Sequence, residues 1–261
     1  MNKTKIEKIA QSTEDKILLS KLFDKIHAGY LKNIPANTAF LSPRELEMSR
    51  YLFGAMDGLY AFGGAEAAER KMLIFLPEYM DKTALLETGS PIICLRASFH
   101  ECENLSHRDF LGALMGAGIA RECIGDIYID HTSCDFFVTA EIAPYLLQNL
   151  ETVGRAKVTL ESIPLTQVKT PQAKIQEISD TVASLRLDNV ISSGFRISRT
   201  NASQYIASGC VAIDGLPCEK QEKQLEQGAV ITVRGMGKIK IAKINGQTKK
   251  GRTAIIIHRY V

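Results

Sequence analysis

One stretch near the C-terminus, from Arg186 to Lys238, leaves a chain like this few ways to fold. It opens Arg186-Leu187-Asp188-Asn189-Val190, a helix start with apolar residues at helical spacing, and a break is expected at Ser192-Ser193-Gly194. Ser198 reads as an N-cap, because its hydroxyl can satisfy a free backbone N–H while Arg199 sits in the first turn. This second helix should run through Tyr205 and Ile206 and stop at Ser208-Gly209, where glycine permits a left-handed cap. Val211-Ala212-Ile213, a turn at Asp214-Gly215, and Val230-Ile231-Thr232-Val233 leading into Arg234-Gly235-Met236-Gly237-Lys238 predict a small sheet. Two short helices and a small sheet bury little core, and their exposed faces are basic.

Charge is segregated in the same direction. The 261 residues carry a net charge of only +3, yet from Thr181 onward 13 bases face five acids. That leaves the rest of the chain mildly acidic and points to a polyanionic partner for one end of the protein. No apolar run approaches the roughly 18–20 residues needed to span a bilayer. The basic start, Met1-Asn2-Lys3-Thr4-Lys5-Ile6-Glu7-Lys8, is followed by no apolar signal core, so a cytoplasmic location is expected. Six cysteines (Cys94, Cys102, Cys123, Cys134, Cys210, Cys218) form no CxxC pair and read as reduced thiols.

Taken together, Arg186-Leu187-Asp188, Ser198-Arg199-x-x-Ala202, Gly209-x-Val211-x-Ile213-Asp214-Gly215 and Val233-Arg234-Gly235-x-Gly237-Lys238 resemble an S4 RNA-binding domain. The resemblance implies that the two helices and the adjoining loop form an RNA-facing surface. Gln227-Gly228-Ala229 departs from the pattern, since many members carry an acidic residue after that glycine; the difference affects a turn.

The preceding sequence divides into three further parts. Residues 1–80 read as a helix-rich α+β unit. Ile17, Leu18, Leu22, Ile26 and Tyr30 share a helix face, and Ser42-Pro43-Arg44-Glu45 predicts a capped helix start. Leu59 to Phe62 and Lys71 to Leu76 read as strands, with a helical turn over Ala65 to Arg70. Residues 81–165 read as βαββαβ, the split arrangement of ferredoxin-like, RRM-like domains. The strands are Ile92–Phe99, Cys123–Asp130, Asp135–Thr139 and Ala156–Ile163; the helices are His107–Gly118 and Glu141–Leu150. Such a sheet could face RNA, although the Gly-Phe-Gly-Phe type run that supports base stacking is missing. Residues 166–182 are polar and read as a hinge; residues 183–261 form the S4 domain with a basic hairpin, its turn expected at Asn245-Gly246.

Three earlier stretches extend the resemblance over almost the entire chain. Gly63-Gly64-Ala65-Glu66-x-x-Glu69-Arg70, His107-Arg108-Asp109-Phe110-Leu111-Gly112-Ala113-Leu114-Met115 and Arg121-Glu122-x-x-Gly125-Asp126-Ile127 look like the bacterial YlmH family of S4-domain proteins. The resemblance implies an RNA-binding protein of the large ribosomal subunit, with ribosomal RNA and tRNA as partners and a role in rescuing stalled nascent chains on peptidyl-tRNA. It also implies genes lying near those of cell division.

Residues expected to touch RNA are Arg186, Arg196, Ser198, Arg199, Asn201, Lys220, Arg234, Lys238, Lys240, Lys249, Lys250 and Arg252. His107, Arg108 and Arg121 are candidates for a second contact. A helix N-terminus offers free N–H groups, and a guanidinium adds a bidentate fork for phosphate. Such contacts hold a backbone in register without reading bases. Asp188 is read as an intramolecular partner for a basic residue. His100, Cys102, His107 and His131 fit no compact metal-ligand spacing. His107-Arg108-Asp109 lacks the downstream elements of a kinase loop, and Gly112-x-x-x-Gly116-x-Gly118 lacks the Lys-Ser/Thr of a nucleotide loop. No catalytic residue, cofactor, metal, small-molecule substrate or membrane partner is expected. An RNA-modifying enzyme targeted by an S4 domain, or a scaffold for division proteins, are the rival readings.

Overall fold

The computed structural model describes residues 3–100, 103–170, 175–248 and 251–260. The chain is α+β and divides into two compact units, one ending at Thr170 and the other beginning at Ile175 among the described residues. Among those residues no helix is long and apolar enough to cross a membrane.

The first unit begins with a short helix, α1 (Ile6–Ile9), and the long α2 (Thr13–Lys32), whose Ser12 cap accepts from the Asp15 N–H. Its buried stripe is Leu19, Leu22, Phe23 and Ile26; Ile17 and Tyr30, expected on that face, are each 53% exposed. Helix α3 (Pro43–Phe53) starts on the expected capping box, with Ser42 and Glu45 satisfying one another's backbone N–H groups. The Arg44 guanidinium holds Asp15 bidentately at 2.7 and 2.6 Å, tying the two helix starts together. Strands β1 (Ala36–Asn37), β2 (Leu59–Phe62) and β3 (Met72–Phe75) pair in the order β1-β3-β2. The helical turn expected over Ala65–Arg70 is a non-helical bend, because the backbone N–H groups of Glu69 and Arg70 are taken by the Asp126 carboxylate. Helix α4 (Lys82–Gly89), capped by Asp81, has no counterpart among the expected elements.

The ferredoxin-like topology is present. Strands β4 (Ile92–Ser98), β5 (Ile124–Ile129), β6 (Ser133–Thr139) and β9 (Thr159–Ile163) form an antiparallel sheet in the order β5-β6-β4-β9. A small hairpin, β7 (Thr152–Val153) with β8 (Ala156–Lys157), precedes the last strand. Helices α5 (His107–Gly116) and α6 (Ala143–Asn149) cover one face through Phe110, Leu114 and Leu146.

Most of the other face is closed to RNA, correcting the expectation of an open sheet; only a corner with Ser98, Thr159 and Glu161 stays exposed among the described residues. Ile92, Cys94, Phe137 and Ile163 pack there against Phe40, Met72, Ile74 and Leu76, and all seven residues of β6 are buried. Residues 1–80 and 81–165 therefore share one core. Their joint is built from the family-like motifs. Arg70 donates to the carbonyls of Ile124, Phe40 and Arg121 at 3.0, 3.1 and 3.3 Å. A Cβ on Gly64 would lie 2.3 Å from the Phe137 ring, and one on Gly125 2.7 Å from the Phe40 ring. Only glycine lets these layers touch.

In the second unit six antiparallel strands run in the order β10-β15-β14-β13-β11-β12. They are β10 (Ile175–Val182), β11 (Val211–Ile213), β12 (Leu216–Pro217), β13 (Val230–Val233), β14 (Gly237–Gln247) and β15 (Thr253–Tyr260). Helices α7 (Leu187–Phe195) and α8 (Arg199–Ala207) pack on one face through Val190, Ile191, Phe195 and Ile206.

Three expectations are corrected here. The hinge is shorter than residues 166–182, since Ile175–Val182 is an edge strand paired along its whole length with β15. Helix α7 does not break at Ser192-Ser193-Gly194. Gly194 sits where a Cβ would meet Ile239 at 2.6 Å, so it serves close helix–sheet packing, and the chain turns at left-handed Arg196 instead. Asn245-Gly246 falls in a register shift of β14, and the hairpin closes farther on, between Thr248 and Arg252.

Candidate nucleic-acid interface

The candidate surface is built around one buried carboxylate. Asp188, in the first turn of α7, is 2% exposed. Its Oδ2 accepts from Arg199 Nη2 at 2.6 Å, while Arg186 donates from Nε and Nη2 at 3.1 and 3.3 Å. Burial pulls this carboxyl upward, but the hydrogen bonds from Arg186 and Arg199 outweigh it and hold the group below the ordinary carboxylate value. Asp188 is thus the internal partner the sequence suggested, and it anchors the starts of both helices. The side chains of Arg186 and Arg199 remain 36% and 58% exposed, so each guanidinium keeps an edge toward solvent.

Ser198 caps α8, its Oγ accepting from the Asn201 N–H at 3.1 Å. Ser198, Arg199 and Asn201 are exposed at this helix start, where free N–H groups and the helix dipole favour an anion. Arg196 is exposed at the left-handed corner between the helices, φ 56°. Arg252, at the hairpin tip, reaches back to β10, donating to Thr181 Oγ1 at 3.1 Å and to the Thr181 carbonyl. Arg196, Arg199 and Arg252 line one open groove of about 330 Å³, together with Asp180, Asn189 and Ser193. The Asp180 carboxylate there accepts from Ser193 Oγ at 2.6 Å.

Other expected contacts lie elsewhere. Lys220 is exposed in the loop after β12, and Arg234 in the turn before β14. Lys238 and Lys240 alternate with buried Ile239 and Ile241, which face the helices; the two lysines therefore stand on the opposite face of the sheet. Lys249 and Lys250 lie outside the described residues. In the first unit, His107 and Arg108 are exposed in the first turn of α5. Arg121 is half-buried, and its Nη1 donates to the Ile124 carbonyl at 2.7 Å, so its guanidinium already serves the joint described above.

Among the described residues no group of three or more His, Cys, Asp or Glu converges as metal ligands would; Cys102 lies outside them. Cys94, Cys123, Cys134, Cys210 and Cys218 are free thiols, and burial pushes Cys94 up to about 12. The clamp between Arg252 and Thr181 has no signal in the sequence, since only the β10–β15 pairing brings residues 71 positions apart together.

A helix pair with a capped, arginine-bearing second helix on a small antiparallel sheet defines an S4-type RNA-binding protein. Family models agree: "S4 domain" matches residues 185–231, and "Putative RNA-binding domain in YlmH" matches residues 98–167. The chain is 33% identical over 224 residues, 85% of its length and 86% of the relative's, to the ribosome-associated protein quality control protein P2 of Bacillus subtilis (strain 168). It belongs to the YlmH family of bacterial S4-domain RNA-binding proteins. A solved structure, the cell division protein ylmH from Streptococcus pneumoniae, matches its fold with a TM-score of 0.50 at 20% identity, over 61% of this chain and 98% of that one.

Proposed function

We propose that this protein docks on the large ribosomal subunit through the helix face of its S4 unit, against ribosomal RNA and peptidyl-tRNA, and acts in the rescue of stalled translation. The observation that carries this reading is the pair Arg186 and Arg199, oriented by buried Asp188 beside a capped helix start. A tethered guanidinium loses less side-chain freedom on meeting a phosphate than a free one does. Support for the ribosome as the site of action comes from the name of the Bacillus subtilis relative. The action is positional: the protein holds an RNA junction in one state, performs no catalysis, and works in the cytoplasm with no membrane or small-molecule partner.

Sucrose-gradient fractionation of lysate tests this. The natural protein is expected with free large subunits, and Arg199→Glu at the top of the gradient. If both stay at the top, the ribosome reading fails and a nuclease-resistant protein complex or an RNA-modifying activity takes its place. If both travel with the subunit, docking stands and the helix face is wrong.

A further inference from the structure

The two larger sheets of this protein, of four and six strands, differ in one respect that bears on RNA. The ferredoxin-like sheet is covered over most of both faces, whereas among the described residues those of the C-terminal sheet that face away from α7 and α8 join no buried cluster. Strand register shows what they are. Lys238 pairs with Tyr260 and Lys240 with His258 across β14 and β15, and all four are partly exposed. The bulge after Ile241 puts Lys243 opposite Ile256, on the same side as the other two lysines. Lys238 Nζ stands 5.9 Å from the Tyr260 ring centroid.

We infer that this outer sheet face is a second RNA site, one for an extended single strand. It rests on RNA as the class of partner proposed above and is independent of the helix face. Aromatic rings presented on a sheet stack bases without regard to sequence, and cations beside them hold the backbone. Tyr260 supplies the stacking ring. Lys238, Lys240 and Lys243 run down one strand at a two-to-three-residue interval, about 7 Å for the first pair, a spacing comparable with that of successive phosphates on an extended strand. Among the described residues that register places on this face, Glu177, beside His258 at 3.7 Å, is the one carboxylate. That balance of charge favours a polyanion over a protein surface.

Fluorescence anisotropy with the full-length protein and two fluorescein-labelled RNAs tests the assignment. The probes are an oligouridylate of about ten nucleotides and a duplex-stemmed hairpin. Tyr260→Leu and Lys240→Glu should each weaken oligouridylate binding about tenfold. Tyr260→Phe, which keeps the ring, should restore it. Arg199→Glu should weaken hairpin binding and leave oligouridylate within about twofold. If Tyr260→Leu and Lys240→Glu bind oligouridylate as the natural protein does, the site is wrong. If the natural protein ignores oligouridylate yet binds the hairpin through Arg199, this inference falls while the helix-face reading stands; failure on both RNAs sinks both. Loss of a nuclease-resistant protein partner from the Tyr260→Leu variant, with oligouridylate binding intact, assigns the face to a protein and overturns the proposal.

Discussion

Asp188 ties two exposed arginines to one buried carboxylate, so in the proposed interface it bears on stability and binding together. Its carboxylate is buried, and both hydrogen-bond partners are arginines with solvent-facing edges. Asp188→Asn leaves the volume unchanged but removes the charge that orients them. It should cost the C-terminal unit about 2 kcal/mol in urea denaturation at neutral pH, and it should weaken RNA binding although the altered side chain itself touches no RNA. The acid dependence has a definite sign. A carboxyl held below its unfolded value stabilises the fold fully above about pH 3.8, and that contribution is lost as pH falls through the lowered folded value. The natural protein should therefore lose stability more steeply than Asp188→Asn below about pH 4. Parallel slopes for the two proteins across that range would show that the pairing does not form.

At the scale of elements, glycine decides how closely layers approach. Gly64 has φ +95° and its missing Cβ space is filled by the Phe137 ring, while Gly125 is pressed by both Phe40 and Phe137. Gly125→Ala should destabilise the first unit by roughly 1–3 kcal/mol. Gly64→Ala should cost more, since backbone strain adds to the clash. Thermal unfolding followed by near-ultraviolet circular dichroism checks both, and an unchanged midpoint for Gly64→Ala would show that the layers are looser than described. The sequence is legible wherever a local signal suffices. The Ser42–Glu45 capping box, the Ser198 cap and the Asp214-Gly215 turn are each decided within a few residues. Strand β10 is not legible, because Asp180 sits between buried Ile178 and Val182 where alternation calls for an apolar residue. Its carboxylate is bonded to Ser193 of α7, a partner no local window contains. The same limit applies to the candidate site. Arg199 and Ser198 announce themselves by position at a helix start, whereas the placement of Lys238 and Lys240 on the far face follows only from how β14 lies in the sheet.

For the molecule as a whole, the basic residues set the dependence on salt. Each phosphate neutralised releases condensed counterions, so RNA affinity should fall at least tenfold between about 50 and 200 mM salt if several of the named cations engage. Arg199→Glu and Lys240→Glu should each make the slope of log affinity against log salt shallower, by about one phosphate's worth for each cation lost. Affinity that hardly moves across that range would mean that the contacts are chiefly apolar. Division into two units also predicts that a fragment comprising residues 172–261 folds and keeps this salt response, because among the described residues its core draws on none before Ile178.

The covered face of the ferredoxin-like sheet has a consequence for inheritance. Gly64, Gly125, Phe40 and Phe137 occupy one volume, and none can change size without the others. Among descendants of this chain Phe40, Phe137 and Gly125 should drift together. A lineage that replaces Phe40 by a smaller residue relieves much of the crowding at Gly125, whereas Gly64 is held to glycine by its φ of +95° even where Phe137 shrinks.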